Sequence, residues 1–105
     1  MKTLFAVTRR RGPAWQPGDM TQQRGWRAHA EFMNALAARG TVVLGGPLDE
    51  GGEILLILAV RDEAEVHAAL APDPWIEAGL LETTAVRRWT IALEASAAHT
   101  RVPST

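Results

Sequence analysis

Residues Glu53 to Val60 read EILLILAV, and the five consecutive apolar side chains from Ile54 to Leu58 are the tightest constraint in the chain. Successive side chains of a strand point to opposite faces, so an uninterrupted apolar run marks a strand covered on both sides. A fold that accommodates this segment must supply two layers of cover over one sheet.

The flanking segments indicate what the first layer is. Asp49 to Gly52 (DEGG) has the composition of a hairpin turn, so Thr41 to Leu48 (TVVLGGPL), read as a strand that breaks at Gly46 and Pro47, pairs antiparallel with Glu53 to Val60. Lys2 to Arg9 is rich in β-favouring residues and stops at Arg11, Gly12 and Pro13, and Leu81 to Leu93 reads as a last strand. Between the first two strands, Gly12 to Thr21 is a loop with Trp15 in it, and Thr21 to Arg39 changes to helical period. Trp26, Ala30, Met33 and Ala37, with Phe32 and Leu36 beside them, form its apolar stripe, and His29 falls inside it; Arg27, Glu31, Asn34 and Ala38 point away, and Gly40 ends the helix. Asp62, with Glu65 three residues on, caps a second helix that runs to Leu70 or Ala71 before Pro72 and Pro74. Trp75 to Gly79 is at most one helical turn.

The order strand, helix, strand, strand, helix, strand predicts an α+β, ferredoxin-like βαββαβ split fold: a four-stranded antiparallel sheet with two helices on one face, joined by right-handed crossovers. Two helices cover one face only, so the apolar run requires a cover for the other. The simplest supply is a second copy, a homodimer through the open sheet face. The alternative, a tail folded back over the sheet, has few apolar side chains to offer, since Glu94 to Thr105 reads EASAAHTRVPST. The domain is expected to span residues 1–94, with a C-terminal tail at 95–105.

Composition excludes several function classes. The chain has no cysteine among its 105 residues, so thiol catalysis, thiolate metal sites and disulfides are out. A formal net charge of −1 gives no long-range pull towards nucleic acid or anionic lipid, although Arg9, Arg10 and Arg11 form a local basic knot. That knot reads as a solvated strand end, or as a focus for an anionic substrate if it borders a pocket. The first residues form an alternating segment unlike a signal peptide or membrane span, and the expectation is a cytoplasmic protein with neither nucleic acid nor membrane as partner. No dinucleotide fingerprint, phosphate loop or Gly-x-Ser-x-Gly elbow occurs; Gly45-Gly46 leads into Pro47 and a hairpin. His67 and His99 have no ligand spacing with His29, so neither metal nor cofactor is expected.

In this topology one end of the sheet collects the end of strand one, the start of the first helix, the Gly45 to Asp49 corner and the segment after the second helix. His29 and Asp73 lie there, far apart in sequence, together with Trp15, Trp26 and Trp75. An apolar, aromatic-lined cavity with few polar groups suits a small-molecule ligand, and Trp15, Trp26, Gly46, Pro47 and Trp75 are the candidate substrate-binding residues. His29 and Asp73 are the candidate catalytic pair: an imidazole takes a proton near neutral pH, and a carboxylate on its other nitrogen fixes the tautomer. The competing readings are a core histidine bonded to a backbone carbonyl and an aspartate that caps the turn before Pro74. Asp49 reads as a turn residue first and a second carboxylate only after that.

Taken together, His29 with Phe32-Met33 and Leu36, Gly40, Gly46-Pro47-Leu48, Asp73-Pro74-Trp75 with Gly79-Leu80, and Val86-Arg87-Arg88-Trp89 resemble the signature order of YCII-related (YciI-like) proteins. The resemblance covers residues 26 to 91 and departs from the family at Arg88, where proline is common, and in the longer Gly12 to Thr21 loop. It implies a dimeric α+β barrel of ferredoxin-like subunits, similar in fold to muconolactone isomerases, with a histidine and an aspartate as active-site pair. Those roles fall on His29 and Asp73. One member type is a dehydrochlorinase acting on a chlorinated hydroxyhydroquinone. Two functions follow as expectations: a cofactor-free lyase or isomerase that moves a proton with His29, or a non-catalytic ligand-binding or accessory dimer in which the pair only orients a metabolite.

Overall fold

The computed structural model describes residues 2–49 and 52–95. Its elements run β1 (Lys2–Arg11), a 3-10 turn (Met20–Gln22), α1 (Trp26–Ala38), β2 (Val42–Leu48), β3 (Glu53–Leu58), α2 (Glu63–Leu70), α3 (Pro74–Glu77) and β4 (Leu81–Ile91). The four strands form one antiparallel sheet in the order β2-β3-β1-β4, the ferredoxin-like arrangement expected. The expected tail beyond residue 95 and the tip of the β2–β3 hairpin lie outside the described residues.

Alternation along β1 sorts its side chains. Phe5 and Val7 face the helices and pack with Leu56 and Leu58 of β3 under Leu36 of α1 and Val66 and Leu70 of α2. Each such side chain removed from water contributes roughly 1.5 to 3 kcal/mol. The opposite face carries a second cluster of Leu4, Ile57 and Ile91 with Ala6 and Leu55 packed against it, so the apolar run of β3 does serve both sides. On that second face Leu44, opposite Ile57, and Trp89, opposite Leu4, stay exposed at 67% and 46%.

Two sequence expectations need correction. The first helix starts at Trp26, not Thr21, because Gly25 adopts φ 77°, which a continuous right-handed helix cannot contain. Before it, Asp19 accepts from the Thr21 N–H and the Gln22 side chain accepts from the Asp19 N–H, which closes a separate turn. The second strand does not break at Gly46 and Pro47; it pairs with β3 through Leu48. Pro47 is tolerated because β2 is an edge strand, where a missing N–H leaves no ladder bond unmade on the outer side. Elsewhere β1 runs two residues further than expected, to Arg11, whereas β3 and β4 each stop two residues early, at Leu58 and Ile91. Asp62 accepts from the Glu65 N–H at 2.9 Å, the cap expected for α2, but the reciprocal half of a capping box is missing, since the Glu65 carboxylate accepts from the Arg61 N–H instead of that of Asp62.

The loop after β1 is tied to the loop before β4. Gly12 N–H donates to the Leu80 carbonyl (2.8 Å) and Ala14 N–H to that of Gly79 (3.1 Å). Buried Gln23 clasps the rest, its carbonyl oxygen accepting from Gln16 N–H at 2.9 Å and its amide donating to the Gln16 carbonyl at 2.8 Å. These ties fix where Trp15 sits. A methyl group on Gly12 would run into the Gly79 carbonyl. Gly12→Ala is therefore expected to lower stability by about 2 kcal/mol in urea unfolding, with backbone displacement as the mechanism.

Candidate active site

Asp73 closes α2 and opens α3. Pro74 takes the first helical position, where its missing N–H is harmless, and the Asp73 side chain caps the turn by accepting from the Trp75 N–H at 2.9 Å. The same carboxylate, with no exposure to solvent, also meets His29 and Arg9. His29 Nδ1 lies 2.8 Å from Oδ1 and 3.0 Å from Oδ2, and Arg9 Nη1 donates to Oδ2 at 3.0 Å. Asp73 thus caps the turn before Trp75 and bonds His29 with one side chain.

An ionised carboxylate only accepts, so Nδ1 of His29 carries the hydrogen; in the neutral imidazole that tautomer leaves Nε2 as the acceptor. The imidazole stacks on the Trp75 indole, with ring centroids 4.0 Å apart and an interplanar angle of 6°. Trp75 is itself placed by its indole N–H, which donates to the Arg24 carbonyl at 2.8 Å, and by edge contact with Trp15 at 5.5 Å and tilted contact with Trp26 at 5.8 Å. Trp75 and Trp26 pack on the imidazole, Trp15 braces Trp75, and Asp73 sets the ring's orientation.

A cavity of about 570 Å³ adjoins this group. All five candidate substrate-binding residues, Trp15, Trp26, Gly46, Pro47 and Trp75, line it with His29, whereas Asp73 stands behind the imidazole. Asp49 is at its edge with φ 47°, a turn geometry. His67 bonds Glu63 on the exposed side of α2 instead, and among the described residues no group of three or more His, Cys, Asp or Glu is placed to hold a metal ion.

Sequence reading missed the place of Arg9 in this group. The residue is 1% exposed, not solvated, and among the described residues only Nη1 has a strong acceptor: Nη2 reaches the Met33 sulfur at 3.8 Å and Nε has no partner. The available signal was alternation, since Arg9 follows Phe5 and Val7 on the helix-facing register of β1. Arg10 points the other way and pairs with exposed Glu82, and Arg11 returns to the cavity side with its guanidinium 4.6 Å from the Trp15 ring.

Electrostatics follow from this geometry. Burial alone would push the Asp73 carboxyl up, but hydrogen bonds from His29, the Trp75 N–H and Arg9 outweigh it and hold the group below the usual carboxylate range. Burial draws the Arg9 guanidinium down from its ordinary value while Asp73 pushes it back, and it remains a cation at physiological pH.

The sequence profile of the family described as YCII-related domain matches residues 3–90. A similar solved structure is the 5-chloro-2-hydroxyhydroquinone dehydrochlorinase of Burkholderia phenoliruptrix in complex with 2,5-dihydroxybenzoquinone; it is 29% identical, with a TM-score of 0.62, over 83% of this chain and 93% of that one. No curated protein sequence matches the chain. The chain belongs to the YCII-related family.

A carboxyl group whose folded pKa is depressed stabilises the protein fully above its unfolded value, about 3.9, and loses that contribution as pH falls through the folded value. Asp73→Asn is therefore expected to be less stable than the wild type at pH 7, by roughly 3 kcal/mol for a buried pair robbed of one partner. The gap is expected to narrow as pH falls below about 4, as checked by denaturant unfolding across pH.

Proposed function

We propose that this YCII-related protein is a cofactor-free small-molecule enzyme of the lyase or isomerase type, working in the cytoplasm, in which His29 moves a proton and Asp73 holds the imidazole for it. The observation that carries the reading is the 2.8 Å contact between His29 Nδ1 and Asp73 beside a cavity walled by tryptophans. With Nδ1 committed to the carboxylate, Nε2 is free to accept a proton. The bond that gives up its proton leaves its electron pair in the substrate. Either a leaving group then departs with its own pair, as in a lyase, or the proton returns at another atom, as in an isomerase.

The similar Burkholderia enzyme is a dehydrochlorinase seen with a flat, oxygen-rich ring. A cavity bordered by Trp15, Trp26 and Trp75 suits a ring of that kind here, because indole faces stack on planar substrates. A hydroxylated, halogenated ring is accordingly the first substrate class to offer. No membrane partner is proposed; among the described residues no helix is long and apolar enough to cross a membrane. Nucleic acid is likewise not proposed as a partner, given a net charge of −1.

The assay is chloride release from chlorinated hydroxyhydroquinones, with conversion followed by absorbance. His29→Gln is expected to lower kcat about 10² to 10⁴-fold with the fold intact. Tight binding of the quinone by the wild type with no turnover of any such ring would favour the ligand-binding or accessory reading instead.

The proposed working unit is a homodimer through the open sheet face, supported by Leu44 and Trp89 standing exposed beside the Leu4, Ile57 and Ile91 cluster. Light scattering is expected to return a mass near twice 11.4 kDa, and Leu44→Arg combined with Trp89→Arg to shift it towards that of one chain.

A further inference from the structure

Three elements deliver charge to one buried point: β1 brings Arg9, α1 brings His29, and the start of α3 brings Asp73. A proton-accepting histidine needs only the last two. An aspartate alone behind a buried imidazole has a cost, because an uncompensated negative charge in an apolar site pulls a second proton onto its neighbour, typically shifting it by about one to three pH units. An imidazolium at Nε2 can no longer accept.

We propose that Arg9 is a positioning residue for the His29–Asp73 pair: its guanidinium, 3.0 Å from Asp73 Oδ2, balances the carboxylate so that Asp73 orients the imidazole without drawing a second proton onto it at neutral pH. The proposal rests on the proton-transfer reading above and adds the residue that sets the strength of its base.

The way Arg9 is held supports a role in charge and not in shape. A buried arginine used for geometry commonly spends its planar fork on two parallel bonds. Here, among the described residues, one nitrogen bonds the carboxylate, one touches a thioether and one has no partner. What the site receives from Arg9 is chiefly a fixed positive charge.

Among the described residues no other charged group competes for the part. From β2 and β3 the neighbours of the cavity are apolar or glycine up to Asp49, and from α3 the face on His29 is the Trp75 ring. On α1 itself Trp26 and Met33 flank the site. Arg11, Asp19 and Asp49 line the same cavity, but Arg11 stacks on Trp15, Asp19 is engaged by Thr21, and Asp49 sits in the hairpin turn; none of them bonds His29. α2 contributes no charged group to the cavity wall.

The test reads His29 directly and needs no substrate. In nitrogen-15 labelled protein the side-chain signals of His29, assigned by their loss in His29→Gln, are followed through a pH titration in the wild type, Arg9→Gln and Arg9→Lys. The expected result is a His29 midpoint raised by about one unit or more in Arg9→Gln, and held within about half a unit of the wild type in Arg9→Lys, which keeps the charge and loses the fork. An unchanged or lowered midpoint in Arg9→Gln overturns the proposal, since Asp73 would then have taken the proton itself or never have needed balancing. Equal displacement in both variants also overturns it, because shape and not charge would be responsible. If Arg9→Gln does not fold, the Arg9→Gln, Asp73→Asn double variant removes both charges together, and its midpoint is expected at or below that of the wild type; a raised midpoint there overturns the proposal. In a turnover assay the acid limb of the pH profile is expected to move with the midpoint in Arg9→Gln. A titration that behaves as described in a protein without turnover would leave Arg9 as the balancing charge and refute the enzyme reading alone.

Discussion

The site hangs on one carboxylate. Asp73, wholly buried, accepts hydrogen bonds from Arg9 on β1, His29 on α1 and the backbone of Trp75 on α3. Taking a charge out of water costs several kcal/mol, and only an opposing charge and saturated lone pairs offset it. The arrangement therefore stands or falls as a whole, and it fixes the relative position of three elements that the apolar core alone would leave freer to slide. α3, one turn long, is held at its start by this carboxylate and along its length by the packing of buried Trp75 and the indole bond to the Arg24 carbonyl.

Around that carboxylate the molecule uses aromatic packing where a larger protein would use more backbone. Trp75 lies flat on the imidazole and is held by an indole hydrogen bond and by Trp15 and Trp26 at 5.5 and 5.8 Å. The loop that brings Trp15 is pinned at Gly12 to the Gly79 and Leu80 carbonyls and clasped by Gln23. The cavity is thus walled by mutually packed rings, one of them carried on a loop held by backbone and side-chain hydrogen bonds.

Much of this was legible in the sequence because it depends on period and composition. The run Ile54 to Leu58 demanded cover on two faces, and the sheet carries an apolar cluster on each. His29 lay in the stripe of a helix, and Asp73 before a proline, at the same end of the predicted topology. Boundaries were less legible. Gly25 could have continued a helix at modest cost, and nothing local announces that it turns left-handed and detaches Met20–Gln22. Pro47 argued for a strand break, and only its place on the edge of the sheet makes it harmless.

The arginine run shows where the division falls. Sequence by itself determined that three cations follow one another at the end of a strand, that β1 alternates, and that the chain is an α+β sheet protein with a histidine and an aspartate at one end. It could not determine that Arg9 is a buried partner of Asp73 while Arg10 pairs in solvent with Glu82 and Arg11 lies on Trp15. Alternation says which face a side chain takes. Whether that face holds water or a carboxylate depends on segments 64 residues away, as between Arg9 and Asp73, and only the packing of the helices on the sheet brings them within 3.0 Å.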